Sequence, residues 1–523
     1  MLNKIRQLGS DTAIYGVSTI IGRFLNFLLV PFYTNVLPPS EYGIVAYIYS
    51  YIAFMNIIYG YGMESAYFRY ASSLEIGSEK LNFTIPFLSL AATSLFFSGI
   101  IHALSVPIAS LLRMEAHGAL YVQYAAWILF FDTLTLIPFA ALRLERRAVR
   151  FALIRLMNII LNVALNIILL VKFHLGVQGI FISGVVSSAF TVLLLLPTII
   201  RQLGIRMEPR GTVSESLWKG GRELYIALLK FGLPYVPAGL AAMAIQVIDR
   251  PILRAFTNDA TVGIYQANYR LGILMMIIVS MFDYAWRPFF LTNANDQQAK
   301  PLFARVLTYF LFVALTLWLI GSLFVDDAVR IRFFGRDFIH PAYWSGLGIV
   351  PIVLFAYVFT GISTNLIAGI YIEKKTHYLP WINGAGAAVN IAANIVLIPI
   401  FSLYGAAFAT LLSYMVTAVF MFFVVQRFFP IRYEYSRIIK LFASSVGMYL
   451  FFRSIPVDGT VFMRLAWKSS LVLGFVAILL VLRFFRKDEL RAVGRMLRSS
   501  AHEGKPPVSA KIPEDETLPK VDN

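Results

Sequence analysis

Few side chains in this sequence can do chemistry, and most of those fall in apolar stretches long enough to lie inside a membrane. Arg23 stands roughly midway along one such stretch, about residues 11–36. A guanidinium keeps its proton at cellular pH, and at the bilayer centre it costs roughly 2.5–3.5 kcal/mol by insertion scales. A chain that holds one there offers it to something anionic in a water-filled cavity. Arg270, about two turns from the end of another stretch, makes the same offer. Asp132 could hold a proton or a cation, whereas Asp249 and Arg250 are adjacent and could neutralise each other. Glu64 and Asp283 fall near span ends, where charge costs little.

Amides form a second set. Arg155, Asn158, Asn162 and Asn166 follow one another at spacings of three and four, so they share one helical face. Asn383, Asn390 and Asn394 echo the pattern later in the chain. Amides bond sugar hydroxyls, but they also bond neighbouring helices, at about 0.6 kcal/mol on average. Packing is the preferred reading of both stripes. Pro138, Pro234, Pro237 and Pro351 should break or kink their helices, as at transporter hinges.

Soluble-enzyme signatures are missing. No Gly-x-x-x-x-Gly-Lys-Ser/Thr loop is present to hold ATP, and no His-Glu-x-x-His to hold zinc. The 6 histidines are scattered through loops and span ends, and the absence of cysteine excludes disulfides and thiolate chemistry. The loops leave little room for a catalytic domain. The protein is therefore expected not to be an enzyme and to need no cofactor beyond a coupling ion, H+ or Na+.

The elements that must position these groups follow from composition. Hydrophobic residues make up 59% of the chain and charged residues 14%, in continuous apolar runs rather than alternating ones. The expected fold is an all-α polytopic membrane protein with about 14 transmembrane helices. They lie at roughly 11–36, 43–66, 83–105, 119–142, 151–172, 177–200, 231–255, 263–285, 302–325, 343–368, 378–398, 404–426, 436–453 and 461–483. Most of the 45 Lys and Arg residues fall in alternate loops, which places those loops and both termini in the cytoplasm. The net charge of +17 then reflects this bias and attraction to anionic lipid, not a nucleic-acid surface. Lys4 and Arg6 ahead of a long apolar run read as an uncleaved signal anchor.

Internal similarity points to duplication. Pro31, Gly43 and Ile44 recur at one spacing as Pro251, Gly263 and Ile264. Asn162, Asn166, Gly179 and Ser187 recur as Asn390, Asn394, Gly405 and Ser413. The expected organisation is a six-helix lobe over 1–200, a cytoplasmic connecting loop over 201–230, a second six-helix lobe over 231–426, two further helices over 427–486, and a cytoplasmic tail over 487–523. Two pseudo-symmetric lobes of the same orientation are related by an axis along the membrane normal. The tail composition cannot bury a core.

The run Gly22-Arg23-Phe24-Leu25-Asn26 through Pro31-Phe32-Tyr33-Thr34-Asn35 and Glu41-Tyr42-Gly43 resembles the start of bacterial oligosaccharide and polysaccharide flippases. These belong to the multidrug/oligosaccharidyl-lipid/polysaccharide (MOP) exporter superfamily. Phe231-Gly232-Leu233-Pro234, the run ending in Asp249-Arg250, and the Asn390/Asn394 pair are similar to that group as well. The resemblance implies two six-helix lobes around a central V-shaped cavity that opens alternately to either side. In the related lipid II flippases, arginines on the first and eighth helices meet a lipid diphosphate; Arg23 and Arg270 match those helices. An acidic residue follows the first arginine there, and Phe24 stands here, which favours the polysaccharide branch. The drug-antiporter branch is disfavoured because the first span has no carboxylate beyond Asp11.

The expected function is translocation of undecaprenyl-diphosphate-linked oligosaccharide across the bacterial cytoplasmic membrane, for O-antigen, capsule or exopolysaccharide. The alternatives are a lipid II flippase and an ion-coupled multidrug antiporter. Arg23, Arg270 and Arg250 are the expected diphosphate ligands. Asp132, Asp249, Asn26, Asn158, Asn162 and Asn390 are the expected cavity or ion-coupling groups. Expected partners are the lipid-linked substrate, membrane lipids, a polysaccharide polymerase and a chain-length regulator.

Overall fold

The computed structural model describes residues 22, 24–25, 27–115, 117–204, 214–294, 296, 299–333, 335–455 and 459–486, with the backbone alone over 214–220. Arg23, Asn26 and the tail from 487 onward lie outside the described residues. The described chain is helical, apart from a small hairpin pairing Arg332–Phe333 with Arg336–Asp337. Among the described residues, twelve helices are long and apolar enough to cross a membrane. In lipid every backbone polar group must be satisfied within its own segment, and continuous helices do this.

The first lobe comprises α1 (Phe27–Val36), α2 (Pro39–Gly60), α3 (Met63–Ser73), α4 (Glu79–Ala103), α5 (Ser105–Leu111), α6 (Gly118–Leu144), α7 (Ala148–Ile167) and α8 (Gly176–Leu203). After α9 (Ser214–Gly232), the second lobe comprises α10 (Tyr235–Val247), α11 (Asp249–Phe256), α12 (Asp259–Thr292), α13 (Ala299–Ala328), α14 (Val350–Ile372), α15 (Leu379–Phe401) and α16 (Leu403–Gln426). The packing order repeats. In the first lobe α2 packs on α6, α4 on α6, α6 on α8 and α7 on α8; in the second α12 packs on α14, α13 on α14, α14 on α16 and α15 on α16.

The echoed asparagines carry the repeat to atomic detail. Asn166 Nδ2 donates to Asn162 O at 2.8 Å and to its Oδ1 at 3.0 Å, and Asn394 Nδ2 does the same to Asn390 at the same distances. The echoed glycines meet each other. A Cβ on Gly43 would overlap the carbonyl of Asp259, and one on Gly263 would overlap the carbonyl of Pro39. Each glycine thus lies against the residue four positions before the other, a two-fold-related contact between the first turns of α2 and α12.

Two expectations change. The segment 201–230, expected as a loop, is helical from Ser214, because Leu224 and Leu228 give it an apolar face that is fully buried in the first lobe's core beside Met63 and Phe83. Pro138 does not break α6, which runs unbroken through it; buried membrane helices tolerate proline where neighbours re-satisfy the freed carbonyl. Pro234 behaves as expected, standing at the break between α9 and α10, and Pro351 opens α14 after a 3-10 segment, Pro341–Ile349.

The described residues from Tyr435 to Arg486 form a second compact unit containing α17 (Tyr435–Ser454) and α18 (Val461–Val481). Within it Lys440 Nζ donates to Leu482 O at 2.8 Å and Arg437 lies 4.6 Å from the centre of the Phe484 ring.

Candidate functional site

Helical register brings together residues that are far apart in sequence. A cavity of about 400 Å³ is walled by Tyr33 of α1, Tyr42 and Tyr49 of α2, Asp132 of α6, Asn158 and Asn162 of α7, and Ser187 and Ser188 of α8. The second lobe closes it with Gln266 and Arg270, one turn apart on α12. A neighbouring cavity of about 430 Å³ shares Asp132 and Asn158 and adds Asn56, Arg155 and Thr191. The two form one polar tract through the first lobe.

Its polar groups are held in place by their neighbours. Asn158 Nδ2 donates to Ser187 O at 2.9 Å and to Thr191 Oγ1 at 2.7 Å. Asn162 Nδ2 donates to Ser187 Oγ at 3.0 Å. Ser188 Oγ donates to Asp132 Oδ1 at 2.6 Å. Arg270 differs: half-buried, it has neither an ion pair nor a hydrogen bond among the described residues, so its donors face the cavity.

Of the sequence candidates, Asp132, Asn158, Asn162 and Arg270 are thus gathered in one place. Arg250 and Asp249 are not. Arg250 is 5% and Asp249 2% exposed. Arg250 Nη1 pairs with Asp249 Oδ1 at 2.5 Å, Arg250 Nε donates to Gln266 Oε1 at 3.1 Å, and Tyr265 OH donates to Asp249 Oδ2. The guanidinium also lies 4.4 Å from the centre of the Tyr269 ring. With its donors and charge occupied inside the fold, Arg250 is a packing residue, not a ligand of an incoming diphosphate. Asn390 is corrected likewise: it is fully buried between helices, its two oxygens accept from Asn394 Nδ2, and its own Nδ2 has no hydrogen-bond partner among the described residues. Glu64 pairs with Arg143.

Sequence reasoning passed over Gln266, although its spacing of four from Arg270 placed it on the same face. It also took Arg155 for a packing residue. A third cavity, about 310 Å³, lies within the second lobe and carries an Asp283–Arg287 ion pair at 2.9 Å; Asp283 had been read as interfacial.

Beyond the glycine contact, side chains bridge the lobes at the end where α2 and α12 begin. Tyr343 OH donates to Leu37 O at 2.9 Å and Asn35 Nδ2 to Asp337 O at 2.9 Å. Arg254 of α11 donates to Leu112 O at 2.5 Å and Arg113 O at 3.1 Å, and pairs with Asp259. That end of the cavity is shut.

A family model described as polysaccharide biosynthesis protein matches residues 8–293. The chain belongs to that family. Among solved structures it is similar to the lipid II flippase MurJ in an inward closed conformation, at 14% identity over 89% of this chain and 98% of that one, with a TM-score of 0.67. It is also similar to an inward-facing multidrug resistance MATE family transporter of the MOP superfamily, at 15% identity over 80% and 95%, with a TM-score of 0.61. A MOP superfamily transporter from Pyrococcus furiosus matches at 15% identity over 83% and 96%, with a TM-score of 0.54. No curated protein matches the chain. This family member is therefore a multi-pass membrane protein with the MOP transporter fold.

Proposed function

We propose that this protein flips undecaprenyl-diphosphate-linked oligosaccharide repeat units from the inner to the outer leaflet of a bacterial cytoplasmic membrane, for surface polysaccharide assembly. The observation that carries the reading is Arg270, a permanent cation with neither an ion pair nor a hydrogen bond among the described residues, facing a polar cavity between lobes. A diphosphate headgroup with attached sugars is anionic and strongly hydrated. Arg270 would supply a bidentate fork to its oxygens, offsetting their desolvation. The fixed amides and hydroxyls of Asn158, Asn162 and Ser187 would meet sugar hydroxyls, and the polyprenyl tail would stay in lipid.

Alternation follows from the same geometry. The lobes would separate at the Gly43–Gly263 contact, breaking the bridges made by Tyr343, Asn35 and Arg254 as the shut end opens. By loop charge that end faces away from the cytoplasm. Asp132 would be the carboxylate that couples the cycle to H+ or Na+, and a polymerase with its chain-length regulator would consume the product. The family match supports a transporter of the polysaccharide biosynthesis family.

The test is Arg270→Gln expressed in place of the wild-type gene at equal membrane abundance. Surface polymer should be lost and lipid-linked precursor should accumulate on the cytoplasmic side. Normal polymer from that variant would reject the proposal.

A further inference from the structure

The geometry points to Arg155 as a second oxyanion subsite, occupied by an acidic group on the sugar portion of the substrate. The inference rests on the flippase reading and deepens it: the repeat unit would itself be acidic, bearing a uronate or a comparable carboxylate. Arg155 is exposed to its cavity and makes neither an ion pair nor a hydrogen bond among the described residues. Its guanidinium lies 5.0 Å from the centre of the Phe139 ring and 5.2 Å from that of Phe151. These two rings are buried and pack edge-on at 5.1 Å. Aromatic faces hold a cation in position without using its N–H groups. The planar fork stays free to bind a carboxylate in two-point fashion.

The neighbours of Arg155 say what the rest of the ligand must be. Its cavity and that of Arg270 share Asp132 and Asn158, so the polar tract has a cation in each cavity and a carboxylate where the two meet. Ser188 takes one oxygen of Asp132 and leaves the other to accept from a ligand hydroxyl. Asp132 would repel a doubly charged phosphate in this tract more than a singly charged carboxylate at Arg155; a neutral, hydroxyl-rich sugar would be bound beside Asp132. The tract therefore suits a molecule with an anion at each end and a neutral sugar between them: diphosphate at Arg270, sugar at Asp132 and Asn158, carboxylate at Arg155.

The experiment uses the full-length protein in lipid nanodiscs and two probes. Both are undecaprenyl diphosphates carrying the same disaccharide, one ending in glucuronic acid and the other in its methyl ester. The wild type should bind the acid at least tenfold more tightly than the ester, a comparison that needs no variant. Arg155→Gln should bind both probes alike, at the wild-type affinity for the ester, and Arg155→Lys should keep part of the preference. Equal binding of acid and ester by the wild type would overturn the inference. So would an equal loss on both probes in Arg155→Gln, which would mean that Arg155 meets the diphosphate. Arg270→Gln should weaken both probes together; if it leaves both unchanged, the diphosphate assignment falls while the acid preference still reports on Arg155.

Discussion

Adding one methyl group at Gly43 should push the lobes apart at the shut end. A Cβ there would overlap the carbonyl of Asp259 and stand 3.0 Å from the amide nitrogen of Gly263. These are backbone atoms, so no rotamer change can relieve the clash, and α2 must move away from α12. Overpacking a well-packed contact costs typically 1–3 kcal/mol. At about 1.4 kcal/mol per tenfold, a central value of about 2 kcal/mol moves the closed-to-open ratio some 25-fold toward open. The cysteine-free chain makes the assay clean: spin labels at Ser110→Cys on α5 and Ala328→Cys at the end of α13, both exposed, report the separation of the lobes by pulsed electron resonance. The wild-type background should give mainly the short distance, and Gly43→Ala a longer population, with Gly263→Ala matching it because the contact is reciprocal. Identical distance distributions in all three proteins would refute the idea that this contact holds the lobes closed.

Other consequences follow from named contacts. Arg250→Met leaves Asp249 buried without its cation and should cost about 3–5 kcal/mol, seen as a lower unfolding temperature in detergent; adding Asp249→Asn should restore much of it. Arg254→Ala removes charge-assisted bonds to two carbonyls across the lobes, each worth about 1.5–3 kcal/mol, and should lengthen the same spin-label distance. Asn394→Ala should cost only about 0.6 kcal/mol, and its counterpart Asn166→Ala should match it within error of a thermal shift measurement.

The fold was largely legible because hydrocarbon imposes a simple rule: long apolar runs must be helices. The repeated Gly43 and Gly263 gave the duplication but not their mutual contact, since sequence similarity reports relatedness and not adjacency. Asn390 and Asn162 illustrate the limit within the site. Their sequence contexts are nearly the same, yet Asn162 borders a cavity and Asn390 is sealed. Only the packing of α7 on α8 as against α15 on α16 separates them. Arg250 and Arg270 differ for a similar reason. Asp249 is visible beside Arg250 in the sequence, but Tyr265, Gln266 and Tyr269, which complete its enclosure, come from the next helix. The amphipathic face of α9 was readable from Leu224 and Leu228, but the basic residues around it favoured a loop.

The central claim is that Arg270 meets a lipid diphosphate during translocation, and reconstituted transport tests it most directly. Purified protein in liposomes should move a polyprenyl-diphosphate disaccharide between leaflets, measured as loss of access to a membrane-impermeant sugar-oxidising reagent. Arg270→Gln should slow that movement at least about tenfold, the low end for a lost charge-assisted contact, with Arg270→Lys in between. Movement by Arg270→Gln at the wild-type rate would contradict the account.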